Sequence, residues 1–138
     1  MSTADERNFD PLFHNNILHL EDHDFTEDGR LNLPDQYKGK CCVVMIFAVW
    51  CGPCAKLKPE FAQLPGKLGN NVTVAAINGS GKDTLASEQA LMKRLRSIVK
   101  DFRGFPTVAI FDKNGNFVGT HEGPRKCDSI IETLQKYI

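Results

Sequence analysis

Two cysteines separated by two residues, in the stretch Trp50-Cys51-Gly52-Pro53-Cys54, are the side chains of this sequence best suited to chemistry. A thiolate is the attacking species in disulfide exchange, so a working cysteine must hold its proton loosely. Leu57, Phe61, Leu64 and Leu68 follow at steps of four, three and four, the spacing of one helix face. Cys51 is thus expected at a helix N-terminus, where unsatisfied N–H groups and partial positive charge favour a thiolate. Cys54 lies one turn further in, within reach of a mixed disulfide formed at Cys51. The expected roles follow: Cys51 attacks the substrate and Cys54 resolves the adduct. Gly52 and Pro53 set a tight, rigid turn, with proline at an early helix position where its missing N–H costs nothing. Trp50 supplies a large flat surface beside the nucleophile, suited to substrate contact.

A lone C-x-x-C is also half of a zinc site, which needs four ligands. Cys41 and Cys42 are adjacent, a poor chelating spacing. Among His14, His19, His23 and His121 only His19 and His23 have a ligand-like separation, in a loop-like region. No metal is expected. The cysteines number five, an odd count that argues against a disulfide scaffold. Cys41 and Cys42 open an apolar strand and read as small buried hydrophobes. Cys127 falls on the apolar stripe of the last helix and reads as buried too.

The chain has 138 residues, about one domain, with 41% hydrophobic and 25% charged residues. Lysine plus arginine equals aspartate plus glutamate at 17 each, so neither nucleic acid nor an anionic membrane is implied as a partner. The longest apolar run, 41–51, is too short to span a bilayer. Asp5, Glu6, Asn8 and Asp10 leave no apolar region of the signal-peptide kind, so a cytoplasmic location is expected. No Gly-x-Gly-x-x-Gly follows a strand, so the chain is not expected to bind a nicotinamide cofactor, and no other cofactor is expected. A monomer is expected.

The elements that must position the pair are legible in outline. Residues 1–15 are polar and pattern-poor and read as a flexible N-terminal arm, with one domain over 16–138. Residues 17–20 could form a first short strand, and 22–40 read as loops with a helical turn near Asp35, Gln36 and Tyr37. The continuous apolar run 42–49 suits a central strand covered on both faces. A helix over 52–68, kinked at Pro59, follows. A strand is expected over 72–77 and a long helix over 83–102, with Leu85, Met92, Leu95, Val99 and Phe102 inward. Its outer face carries Lys93, Arg94, Arg96 and Lys100 and reads as solvated. Strands at 107–111 and 116–120 flank Asn114-Gly115, a two-residue hairpin signal. The last helix is expected to start near Pro124, with Cys127, Ile131, Leu134 and Ile138 inward. The class is α/β, a mixed central sheet with helices on both faces.

These residues together resemble the thioredoxin family. Trp50-Cys51-Gly52-Pro53-Cys54 matches its active-site motif, Pro59 its helix-kinking proline, and Arg103-Gly104-Phe105-Pro106-Thr107 the segment carrying its cis-proline. Gly123 resembles the glycine after the last strand. The resemblance covers about residues 40–138, with a weaker match at 17–25. It implies the thioredoxin fold, a cis Pro106 facing the cysteines, and substrate contact at Trp50, Phe105, Pro106, Thr107 and Gly123. Two positions depart from the pattern. The family's usual buried aspartate is replaced by Met45 and its usual lysine partner by Ala76. Losing both is coherent, because losing one alone would strand a buried charge. The family's aspartate helps deprotonate the resolving cysteine, so Cys54 is expected to resolve mixed disulfides slowly here.

The resemblance implies a protein-disulfide reductase acting on protein disulfide substrates, supplied with electrons by a thioredoxin-reductase-like flavoenzyme or by glutathione. Two other readings stand beside it. One is a disulfide isomerase or oxidase, a class that usually carries Gly-His between its cysteines. The other is a redox-adaptor or binding module that keeps the fold but only holds a partner.

Overall fold

The computed structural model describes residue 12, residues 16–81 and residues 84–138. Five strands form one mixed sheet: β1 (Leu18–His19), β2 (Cys41–Phe47), β3 (Val72–Asn78), β4 (Thr107–Phe111) and β5 (Phe117–Thr120). Their order is β1-β3-β2-β4-β5, with β1, β3 and β2 parallel and β4 and β5 antiparallel to their neighbours. All seven residues of β2 are buried, as its unbroken apolar run requires of a central strand.

Side-chain alternation splits β2 between two cores. Cys41, Val43, Met45 and Phe47 face α1 (Gly52–Phe61), α2 (Leu64–Leu68) and α4 (Cys127–Leu134) through Leu57, Phe61, Leu64 and Ile130. Cys42, Val44 and Ile46 face α3 (Ala86–Ile98) through Leu91, Leu95 and Ile98. The sheet is thus covered on both faces, as the sequence implied.

Several boundaries differ from expectation. The segment 52–68 is two helices. Pro59 sits inside α1, yet the chain leaves the helix after Phe61, because Pro65 has no N–H to return to the Phe61 carbonyl. The long helix is shorter than 83–102. Leu85 is extended and 45% exposed at its start, and Val99 leaves helical geometry at φ −106°, ψ 92°. Val99 and Phe102 are buried all the same, in the turn beyond the helix, so their spacing imitated one further helical turn. The buried carboxylate of Glu88 accepts the Leu85 N–H at 3.0 Å and fixes the start of α3. Arg94 does not point to solvent. Its guanidinium bonds the Asp22 carboxylate at 2.7 Å and the carbonyls of Asp22, Phe25 and Thr26, tying the 22–26 loop to α3.

The last helix starts at Cys127 rather than near Pro124. Glu60 on α1 reaches across and accepts the Cys127 N–H at 2.9 Å, so a distant carboxylate sets that terminus. Its inward stripe is Cys127, Ile130 and Leu134, while Ile138 is 63% exposed. The hairpin is present, but its loop is longer than Asn114-Gly115. The Asp112–Gly115 turn closes with Gly115 at φ +86° and the Asp112 N–H bonded to the Asn116 carbonyl. A Cβ on Gly115 would stand 2.0 Å from the Leu31 carbonyl oxygen, so only glycine fits there. Leu12, within the stretch read as an arm, is fully buried in the α1-side core, and the rest of that stretch lies outside the described residues.

Candidate active site

The end of β2 delivers the motif. The chain turns at Ala48, whose carbonyl accepts the Cys51 N–H at 3.2 Å, and enters α1 with Cys51 as its N-cap. Cys51 Sγ accepts the Cys54 backbone N–H at 3.3 Å. A sulfur thus takes the place of the usual capping oxygen, among the N–H groups where an α-helix carries positive partial charge. Pro53 occupies the first turn of α1, as its chemistry permits. Gly52 is exposed, and no atom stands within 4 Å of where its Cβ would be.

The two thiols differ in surroundings. Cys51 is 8% exposed and Cys54 fully buried. Burial pushes the Cys54 thiol up to about 12, its hydrogen bond with Cys51 pushes the same way, and the Ala48 backbone and Lys58 oppose. Lys58 lies one turn beyond Cys54, its Nζ 4.6 Å from the centre of the Phe47 ring. Met45 and Ala76 are fully buried and face each other as register partners of β2 and β3. Two apolar side chains thus stand where the family keeps a charge pair, and the polar groups nearby are His19, paired in register with Ala76 and packed edge-on to Phe47 at 6.3 Å, and Lys58 over the same ring.

The antiparallel register sets Thr107 opposite Ile46, so the Phe105–Pro106 peptide, which is cis, lies beside the outlet of β2. Pro106, Thr107 and Gly123 line one cavity of about 340 Å³ together with Leu57. Phe105 is placed differently. Its ring packs edge-on against Trp50 and Phe102, with centroids 5.6 Å away in each case, so its side chain buttresses the site. Trp50 is 68% exposed, and its indole N–H points to the Ser80 carbonyl at 3.5 Å.

Three contributors escaped the sequence reading. The Ser80 hydroxyl accepts the Val49 N–H at 2.9 Å and bonds the Asn78 side chain, fastening the loop after β3 beneath Trp50. Gly79 lies so close to Phe105 that a Cβ would meet the ring at 2.6 Å. His121 holds the Gly123 loop to α4 through the Thr133 hydroxyl at 2.7 Å and the Pro124 carbonyl at 2.8 Å. Each acts over a contact formed only by the fold; the Asn-Gly-Ser-Gly run at 78–81 signalled a break but no partner. Cys41, Cys42 and Cys127 are buried thiols, all with pKa raised by burial. Among the described residues no three His, Cys, Asp or Glu side chains converge in a way suited to a metal ion, and no helix is long and apolar enough to cross a membrane.

A family model described as Thioredoxin matches residues 32–136. A protein disulfide-isomerase of Medicago sativa is 35% identical over 100 residues, covering 68% of this chain and 17% of that protein. One of Oryctolagus cuniculus is 29% identical over 126 residues, covering 88% and 21%. The chain thus spans about a fifth of the length of these relatives. Among solved structures, the J-Trx1 fragment of ERdj5 aligns with a TM-score of 0.68 at 15% identity, over 99% of this chain and 60% of that one. The exposed lipoprotein thioredoxin Etrx1 of Streptococcus pneumoniae strain TIGR4 aligns with a TM-score of 0.58 at 24% identity, over 72% and 87%. At these identities the two structures show likeness of fold.

Proposed function

This chain belongs to the thioredoxin family, and from that premise we propose that it exchanges thiols and disulfides with protein substrates through Cys51 and Cys54, working as a reductase. The observation that carries this reading is the asymmetry of the pair: a capping sulfur at the surface end of α1 and a buried partner thiol one turn behind it. The Cys51 thiolate attacks one sulfur of a substrate disulfide, forming a mixed disulfide and releasing the other sulfur as a thiolate that takes up a proton. Cys54 then loses its proton and attacks Cys51 Sγ. The Cys51–substrate bond breaks, the Cys51–Cys54 bond forms, and the second substrate thiolate departs. The substrate gains two electrons and the protein pair loses two.

Cys54 sets the pace of exchange in both directions. To reduce the protein's own disulfide, a donor thiolate attacks Cys51 and expels Cys54. A thiol with pKa near 12 is a poor leaving group and, at neutral pH, rarely a thiolate, so both its expulsion by a donor and its attack on a mixed disulfide are slow. The reductase direction is favoured by Gly52 and Pro53, the dipeptide that reducing members of the family carry between their cysteines. The isomerase reading is favoured by one observation, the similarity to proteins named protein disulfide-isomerase. That similarity lends the cytosolic expectation no support, and the reductase reading rests on the pair itself. Electrons would come from a flavoenzyme of the thioredoxin-reductase kind or from glutathione.

Equilibration of the pair against glutathione of fixed redox ratio tests the reading. A potential near about −270 mV is expected, whereas one between about −180 and −120 mV would make the protein an isomerase or oxidant. Cys51→Ser must abolish insulin-disulfide reduction. A variant that still performs its cellular role would point instead to the adaptor reading.

A further inference from the structure

The surface beside the motif carries a local charge that the neutral composition hides. A groove of about 480 Å³ runs between the start of α1 and the loop leading into α4. Its floor is apolar, made by Pro53, Leu57 and Pro124, and its walls are Lys56, Arg125 and Lys126. No carboxylate lines it among the described residues. Of the carboxylates nearest in sequence, Asp128 is paired with Lys67 at 3.2 Å, while Glu60 and Glu122 keep their charge and line other contacts, the Cys127 N–H at 2.9 Å and the Thr120 hydroxyl at 2.9 Å. Lys56, Arg125 and Lys126 are all exposed, and no described ion pair engages them. The groove shares Leu57 and Arg125 with the cavity holding Pro106, Thr107 and Gly123, so the two adjoin beside Gly52 and Pro53 of the motif. In that second cavity Asp101 and Glu122 stand with Arg103 and Arg125, so the two cavities together carry four cations, Lys56, Arg103, Arg125 and Lys126, against two carboxylates.

We propose that this groove selects protein disulfides whose cysteine is flanked, two to four residues away, by aspartate or glutamate. The inference rests on the thiol–disulfide reading of Cys51 and Cys54 and adds the substrate's charge to it. The spacing follows from reach: Lys56 stands five residues along α1 from the N-cap Cys51, about 7.5 Å of helical rise, and an extended chain advancing about 3.3 Å per residue puts a side chain two to four residues from the reacting cysteine about 7–13 Å away. The apolar floor takes the backbone and aliphatic stems of such a segment, while three cations meet its carboxylates. Each exposed pair contributes about 1.5- to 5-fold, so two or three together give about tenfold.

Full-length protein is given two disulfide-linked peptides that differ only in their flanking residues, Glu in one and Lys in the other, with glutathione disulfide as a third substrate. The acidic peptide is expected to be reduced about tenfold faster in kcat/KM at about 0.05 M salt. The preference should fall within twofold at about 1 M, where the Debye length is about 3 Å. It should also vanish in the Lys56→Gln, Arg125→Gln, Lys126→Gln triple variant, whose changes are all at exposed positions. A ratio within twofold at low salt, or a preference that survives the triple variant, overturns the proposal. So does a dependence on the three cations seen with glutathione disulfide alone. If neither peptide is reduced, the oxidoreductase reading itself fails and the inference falls with it.

Discussion

Cys54 must shed a proton where little is present to receive it. Burial and the contact with Cys51 hold its pKa near 12, and only the Ala48 backbone and Lys58 counter them. Below that value its thiolate fraction rises tenfold with each pH unit. The resolution of a Cys51 mixed disulfide, followed by stopped flow, should therefore accelerate about tenfold per unit from pH 6 to 9 with no plateau. A plateau below pH 9 would reveal a general base that the Met45 and Ala76 side chains do not supply. Removing the charge with Lys58→Met should slow the same step several-fold, while Lys58→Arg retains most of the rate. The cysteine pair was legible in the sequence because it belongs to a short motif whose geometry is local, whereas the cis Pro106 was expected only from the resemblance to the thioredoxin family, against the ordinary preference for trans. Ser80 and His121 were not, since a serine beneath a tryptophan 30 residues earlier leaves no local pattern.

Between elements, the pairing of β2 with β3 gives Met45 and Ala76 a joint meaning. They oppose each other in register and both are fully buried. A single Met45→Asp substitution places a carboxyl there without a partner and should cost about 3–5 kcal/mol, read from the urea midpoint. Adding Ala76→Lys should restore part of that loss, and the double variant should resolve mixed disulfides faster than the parent. Equal midpoints for the single and double variants would show that the two side chains do not meet. The strands were legible because β2 and β3 are unbroken apolar runs. Helix ends were less so. The start of α4 depends on Glu60, 67 residues away in sequence, and the end of α3 was masked by Val99 and Phe102, apolar at helical spacing but buried in a turn. Arg94 misled for the same reason: charge at an outward position reads as solvated until a loop is known to fold over it.

Across the whole molecule, thiols contribute to stability against pH. Cys41 is raised to about 11 and Cys54 to about 12 from an ordinary thiol value of 9.0, and Cys42 and Cys127 are raised as well, burial being the leading cause for each. The native state holds these protons more tightly than the unfolded chain. Their stabilising contribution is complete below pH 9 and is lost as pH climbs from 9 through 11 to 12. Reduced protein should thus show a unfolding midpoint that drops steeply above pH 9, and Cys41→Val should blunt the drop. The mixed sheet with a core on each face was foreseeable from composition and strand order. Which residues left that core was less visible: Ile138 was placed inside and is exposed, while Leu12 was placed in an arm and is buried. The cover over the cysteines has one more consequence. Cys51 is the most accessible of the five at 8%, against 5% or less for the others. A brief pulse of iodoacetamide should therefore add one carbamidomethyl group to each folded, reduced molecule and five to each unfolded one. Two mass peaks from a single quenched sample would then count folded and unfolded chains directly, with no dye, label or tryptophan signal required.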